Sequence, residues 1–188
     1  MQSEVEIKIF SVRADVTGDG VEDEIRINRS PKVLMPETEG KVNVVEVISG
    51  ATGRVVYFMG NYKDINLAHP GYNSLYLYHE EGKDYLLNWN PAMYQGKAVY
   101  KYEIFTVNEL GQKNVMEKGE YSFDVNTMKK SDIQEYKKFI EKVNKRLGKS
   151  DVLISTLNGT LITYRDSPDH HLLFDASGDL DIMGGTSH

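Results

Sequence analysis

The sequence predicts a mainly β domain of the α+β class: two antiparallel four-stranded meanders, one amphipathic helix near residues 132–147 and a C-terminal hairpin. Three observations carry this. Apolar and polar residues alternate with period two along much of the chain up to Val125. Glycine-bearing polar turns separate those alternations, and the period switches to helical spacing only at Ser131.

The first alternation opens at Glu4-Val5-Glu6-Ile7-Lys8-Ile9 and runs to Val12, and the second is Glu24-Ile25-Arg26-Ile27-Asn28. Successive strand side chains point to opposite faces, so each run has one apolar face. Val42 to Ile48 and Val55 to Met59 flank Ser49-Gly50-Ala51-Thr52-Gly53-Arg54, a hairpin turn with glycine where φ is expected to be positive. Residues 4–60 are thus expected to form the first meander. The aromatic runs Leu75 to Tyr78, Tyr85 to Trp89, Ala98 to Val107 and Tyr121 to Val125 follow, divided by the turns His79 to Lys83, Tyr94 to Lys97 and Glu109 to Lys113. They make a second meander within residues 72–126.

From Ser131 onward, Ile133, Tyr136, Phe139, Ile140, Val143 and Leu147 fall on one helical stripe. Ser131 and Gln134 have capping-box spacing, and Gly148 is placed to end the helix in a left-handed C-cap. The Lys-rich outer face reads as a solvated surface. Val152 to Thr156 and Thr160 to Tyr164 flank an Asn158-Gly159 turn, which completes a helix-plus-hairpin unit over residues 131–164. The mixture of Pro, Asp, His and Gly in residues 165–188 predicts a partly disordered tail. A chain of 188 residues suits a single domain spanning 1–188.

A formal charge of -6 argues against nucleic acid, which demands clustered excess Lys and Arg. No apolar run approaches the roughly 20 residues of a membrane helix, so membrane insertion is not expected. The absence of cysteine excludes disulfides, thiolate metal sites and cysteine nucleophiles. The chain opens almost directly into a strand, so either the protein is cytosolic or a leader has been removed before this sequence begins.

The most specific local pattern is Asp15-Val16-Thr17-Gly18-Asp19-Gly20-Val21-Glu22-Asp23. Oxygen side chains stand at positions 1, 3, 5 and 9 of this loop, with glycine at 6 and a residue able to turn its carbonyl inward at 7. Calcium takes six to eight hard oxygens, and glycine permits the sharp turn such a loop needs. Asp15, Asp19, Glu22, Asp23 and Glu24 crowd five carboxylates without an intervening Lys or Arg, and convergent carboxylates call for a cation or protons. Magnesium fits less well because it dehydrates reluctantly. Position 12 is Arg26 and the flanks are strands, which excludes a helix-loop-helix sensor. The alternative is that Asp-Gly makes a turn and the acids are solvated.

Residues 10–27 resemble the FG-GAP or VCBS-type repeat of integrin-like β-propellers, in which an Asp-rich loop joins two strands of a blade. Glu46-Val47-Ile48-Ser49-Gly50-Ala51-Thr52-Gly53 is similar to the second half of such a blade, although the rest of the chain does not repeat it. The resemblance implies one calcium ion held by Asp15, Thr17, Asp19 and Asp23, with a backbone oxygen from Val21. With few carboxylates the affinity is expected to fall in the 10⁻⁴–10⁻³ M class of extracellular modules. Such a site fills outside the cell, which favours an extracytoplasmic place.

Other clusters are weaker. Asp175 to Asp181 echoes the loop incompletely, and the adjacent His170 and His171 point apart on any regular element. Glu80 and Glu81 beside His79 read as solvated charge at a turn tip. Tyr72, Tyr76, Tyr78, Tyr85, Trp89, Tyr94, Tyr100 and Tyr102 suit either a platform for a protein or glycan ligand or a packed layer beneath the helix. No catalytic motif is present. The expected role is therefore a calcium-stabilised, non-enzymatic binding or structural module of a bacterial surface or secreted protein. A hydrolase acting on cell-wall or glycan material, with a cleft built from the second meander and the tail, is the alternative. A cytosolic domain without metal is the third.

Overall fold

The computed structural model describes residues 9–28, 44–59, 74–124, 126–127, 129–157 and 160–163. The expected strand start at Val5, the beginning of the third strand at Val42, the Asn158-Gly159 turn, Tyr72 and the tail with Asp175 to Asp181 and His170-His171 lie outside them.

The protein is mainly β, with two antiparallel sheets and one helix. Strands β1 (Ile9–Ala14), β2 (Asp23–Asn28), β3 (Val45–Ile48) and β4 (Val55–Met59) form the first sheet in sequence order. Strands β5 (Ser74–Glu80), β6 (Lys83–Tyr94), β7 (Lys97–Val107) and β8 (Lys113–Asp124) form the second meander. Helix α1 (Lys130–Leu147) follows, and β9 (Ser150–Leu157) with β10 (Thr160–Thr163) makes a hairpin. That hairpin joins the second meander at the free edge of β5, giving a six-stranded sheet ordered β10-β9-β5-β6-β7-β8.

Parity along the strands builds three layers. Leu75, Leu77, Leu86, Phe105 and Val107 meet Ile25, Ile27, Val45, Val47 and Met59 of the first sheet in one buried cluster. Tyr76, Tyr78, Leu87, Trp89, Tyr100, Tyr102 and Ile104 point the other way and are covered by Tyr136, Ile140, Val143 and Leu147 of α1. The six-stranded sheet is therefore the central layer, and both faces carry apolar residues, as a doubly covered sheet requires.

Three expectations are corrected. Strand β8 begins at Lys113 rather than Tyr121. Its first half mixes charged, polar and apolar residues that are nearly all exposed, so burial leaves no alternation to read; the strand is held by its ladder to β7, and as an edge its lysines deter pairing with other chains. Helix α1 is capped by the Lys129 amide donating to Asp132 Oδ2 at 2.7 Å, not by a Ser131-Gln134 box. Gly148 is right-handed, with φ -63°, and its amide still donates to the Asn144 carbonyl. The chain leaves α1 directly into β9, where Ser150 Oγ donates to the Arg146 carbonyl, so a left-handed cap is not needed.

The aromatic residues of the second meander form the layer beneath the helix. Trp89 and Tyr100 stack at 6.1 Å, and Tyr100 meets Tyr136 at 5.0 Å. Tyr76, Tyr78, Trp89, Tyr100 and Tyr102 are buried, which removes them from any exposed platform. The end of α1 is tied down by a polar network. Arg146 donates to the Tyr78 hydroxyl at 2.7 Å, to Glu80 at 3.1 Å and to Glu117, which also accepts from Tyr102 at 2.6 Å. Burial alone would raise the Glu117 pKa, but the hydrogen bonds from Tyr102 and Arg146 outweigh it and hold it below the usual value. Burial and the neighbouring Glu80 push the Tyr78 hydroxyl up to about 12.

Candidate functional site: the acidic loop and its neighbours

The strand pair β1-β2 fixes the loop. Ala14 pairs with Asp23, so the residues between them must close within a short span. Gly18 and Gly20 take φ of +76° and +87°, conformations that cost a residue with a Cβ roughly 1–2 kcal/mol. The sharp turn expected at Gly20 is therefore present.

Within this turn the two end carboxylates are filled by backbone amides. Asp15 accepts from Gly18 at 2.7 Å, Asp19 at 3.2 Å and Gly20 at 2.8 Å. Asp23 accepts from Val16 and Thr17, both at 2.9 Å, and from Gly50 at 3.0 Å. The Thr17 hydroxyl lies 3.3 Å from an oxygen of each. A carboxylate has about four lone-pair positions, so these donors nearly saturate both. Asp19 turns one oxygen back to the Val21 amide at 2.8 Å.

Asp23 is fully buried. It occupies the same inward parity as Ile25 and Ile27 on β2, and that parity is the signal in the sequence that marks it as an inside group. Its two oxygens hold both arms of the junction: Oδ2 fixes the start of the loop, and Oδ1 fixes the turn between β3 and β4. The junction also reaches the second sheet, because the Val107 amide donates to the Val16 carbonyl at 3.1 Å. Ser49 and Thr52 donate to Glu109 from the turn beyond β7, and these bonds hold the Glu109 carboxyl below its usual range.

The five residues expected to bind calcium thus divide. Asp15, Thr17 and Asp23 are brought together through shared hydrogen bonds, whereas Asp19 and Val21 are exposed at the outer side of the loop. The fit to a calcium ion is partial: backbone amides already occupy most lone pairs of Asp15 and Asp23, and the oxygen capacity left over belongs chiefly to Asp19 and to Asp15 Oδ2. Among the described residues no group of three or more His, Asp or Glu side chains is placed to hold a metal ion. A hollow of about 430 Å³ opens beside the loop, lined by Asp15, Gly18, Gly20, Lys83, Asp84 and Tyr85 among others.

No protein-family model, curated protein or solved structure matches the chain. Its function is therefore read from the residues themselves.

One cluster escaped the sequence. His79, read there as part of a solvated turn tip, stands between two carboxylates: Nδ1 lies 2.7 Å from Asp84 and Nε2 3.0 Å from Asp151. The Asp84 contact was legible, since the Glu81-Gly82 turn sets His79 opposite Asp84 in the β5-β6 hairpin. Asp151 arrives from β9, 72 residues along the chain, and no local pattern reports it. Burial acts to lower the His79 pKa, but hydrogen bonds to Asp151 and Asp84 prevail and raise it. A raised folded value means the stabilisation is fully present below the ordinary histidine pKa near 6.5 and is lost as pH rises through the folded value. Melting temperature should fall over that window, and His79→Gln should flatten the fall. An unchanged pH profile in the variant would remove the role.

A second hollow, about 460 Å³, lies on the opposite face of the six-stranded sheet from α1, bordered by Asn88, Asn90, Lys101, Glu103, Lys118 and Glu120. The charges around it are of both signs.

Proposed function

We propose that the protein is a non-catalytic binding or structural module of an extracytoplasmic bacterial protein, in which the Asp15–Asp23 loop clamps the layers together and calcium reinforces the clamp. The observation that carries this reading is the buried Asp23 carboxylate, which joins the loop to the β3-β4 turn through amides from both. The clamp's own bonds come from backbone amides. Calcium's contribution is assigned to the outer oxygens of Asp15 and Asp19, so its affinity belongs to the weak, 10⁻⁴–10⁻³ M class that is filled outside cells. The resemblance to an FG-GAP or VCBS loop, and any protein or glycan partner, belong to the same proposal.

Thermal melting in EDTA and then in graded calcium and magnesium tests it. Calcium at one hundred times its dissociation constant should add about 2.7 kcal/mol, or roughly 5–11 °C for a domain of this size. Asp19→Ala should abolish the rise while leaving the melting temperature in EDTA almost unchanged, because that carboxylate is exposed and accepts only the Val21 amide among the described contacts. No rise at several millimolar calcium would end the calcium reading and favour the metal-free cytosolic one. The hydrolase alternative asks for a side chain free to move a proton. His79 does not favour it, since each ring nitrogen already faces a carboxylate.

A further inference from the structure

Helix α1 and its flanks carry a charge opposite to that of the rest of the chain. Residues 129–149 contain eight Lys and Arg against three Asp and Glu, a balance of +5, whereas the whole chain stands at -6 and the remainder therefore at -11. Of that remainder, the described first-sheet residues 9–28 and 44–59 hold three Arg against six Asp and Glu, a balance of -3, and they lie across the central sheet from the helix. The helix forms one outer layer, packed on the aromatic face of the central sheet, while the acidic loop belongs to the first sheet on the opposite face.

Lys129 stands at the N-cap, and the other seven cations divide into two sets. Arg146, Lys142 and Lys149 turn inward along the helix flank to Glu117 and Glu80. Lys130, Lys137, Lys138 and Lys145 are exposed, and only Lys138 has an ion pair among the described residues, an exposed one with Glu135. At about 100° per residue these four lie within an arc of about 100°, turned away from the buried stripe of Tyr136, Ile140, Val143 and Leu147. Glu141 falls in the same arc, so four lysines less one glutamate leave the face at +3. The lysines extend over about 22 Å of helix at about 1.5 Å per residue. The apolar side of the helix is already used by the sheet.

We propose that this lysine face of α1 docks the protein peripherally on a bilayer surface rich in anionic lipid. The charge complementarity is that of a plane. A flat negative surface meets the helix layer alone, while the acidic first sheet points away from it, so the separation of charge across the layers orients the molecule. A flexible polyanion or an acidic protein would wrap onto the flanks, where Glu135 and Glu117 interrupt the positive charge. No apolar insertion is involved, and attachment is electrostatic and reversible. This inference is independent of the calcium reading.

Sedimentation with vesicles of phosphatidylglycerol and phosphatidylcholine tests it, with pure phosphatidylcholine vesicles as the neutral counterpart. The wild-type protein should bind only the anionic vesicles, and raising salt should release it, because exposed charges are screened beyond the Debye length. Each of Lys130→Gln, Lys137→Gln, Lys138→Gln and Lys145→Gln should weaken binding about fivefold, and the quadruple variant should lose it. The melting temperature of each variant, all at exposed positions, verifies folding. Failure of wild-type protein to bind anionic vesicles at low salt overturns the proposal. So does binding that the quadruple variant retains, or equally tight capture by soluble polyphosphate, which would assign the face to a polymer instead.

Discussion

Replacing Asp23 with alanine is expected to lower stability by about 3–5 kcal/mol, because it strands amides of Val16, Thr17 and Gly50 that the carboxylate now accepts, each unsatisfied buried donor costing roughly 1–3 kcal/mol. The loss stays below three full penalties because Gly50 is exposed and water can reach its amide. For a domain of this length the melting temperature should fall by roughly 6–20 °C. Asparagine at this position would retain the shape but only one acceptor oxygen, and its NH₂ group would face amide donors on one side. Asp23→Asn should therefore lose either the Gly50 arm or the Val16-Thr17 arm and fall close to the alanine variant. Equilibrium denaturation in EDTA measures both without any contribution from calcium. A near-native asparagine variant would show that one arm of the clamp carries no stability.

Gly50→Ala is the second large effect. A Cβ at this position would lie 2.0 Å from the Glu22 carbonyl oxygen and 3.0 Å from its carbonyl carbon, so the obstruction is backbone on backbone and no rotamer relieves it. The loop would have to lift from the β3-β4 turn, taking the Gly50 amide away from Asp23. Overpacking costs typically about 1–3 kcal/mol, and the lost hydrogen bond to a charged acceptor adds about 1.5–3 kcal/mol, so a total of about 3–5 kcal/mol is expected. The double variant with Asp23→Ala should lose less than the two effects together, because both break the same contact. Simple additivity by denaturant titration would place the two residues in separate interactions and remove the clamp.

Both predictions converge on a junction that was only half legible. The alternation Glu24-Ile25-Arg26-Ile27 marks β2 and its inward face, and the same parity extended one step back places Asp23 inside. The crowding of acids points to a cation, and nothing local could reveal that Gly50, 27 residues away, also supplies an amide to Asp23. The aromatic run of the second meander was similarly ambiguous. Its alternation established strands, yet whether Tyr76, Trp89 and Tyr100 face water or a helix depends on where α1 is laid down.

By itself the sequence located the strands apart from the full extent of β6 and β8, the turns at Gly20, Gly82 and Gly111, and the one amphipathic helix. Those follow from the two-residue and 3.6-residue periods and from conformations that favour glycine, all of which act within a few residues of chain. Only the tertiary structure decided that β9 and β10 extend the second sheet, that β8 starts at Lys113 along a charged edge, and which donors meet Asp23 and His79. Strand order, ladder partners and burial are set by segments distant in sequence, and a carboxylate becomes a clamp, a ligand or a solvated charge according to what those segments bring to it.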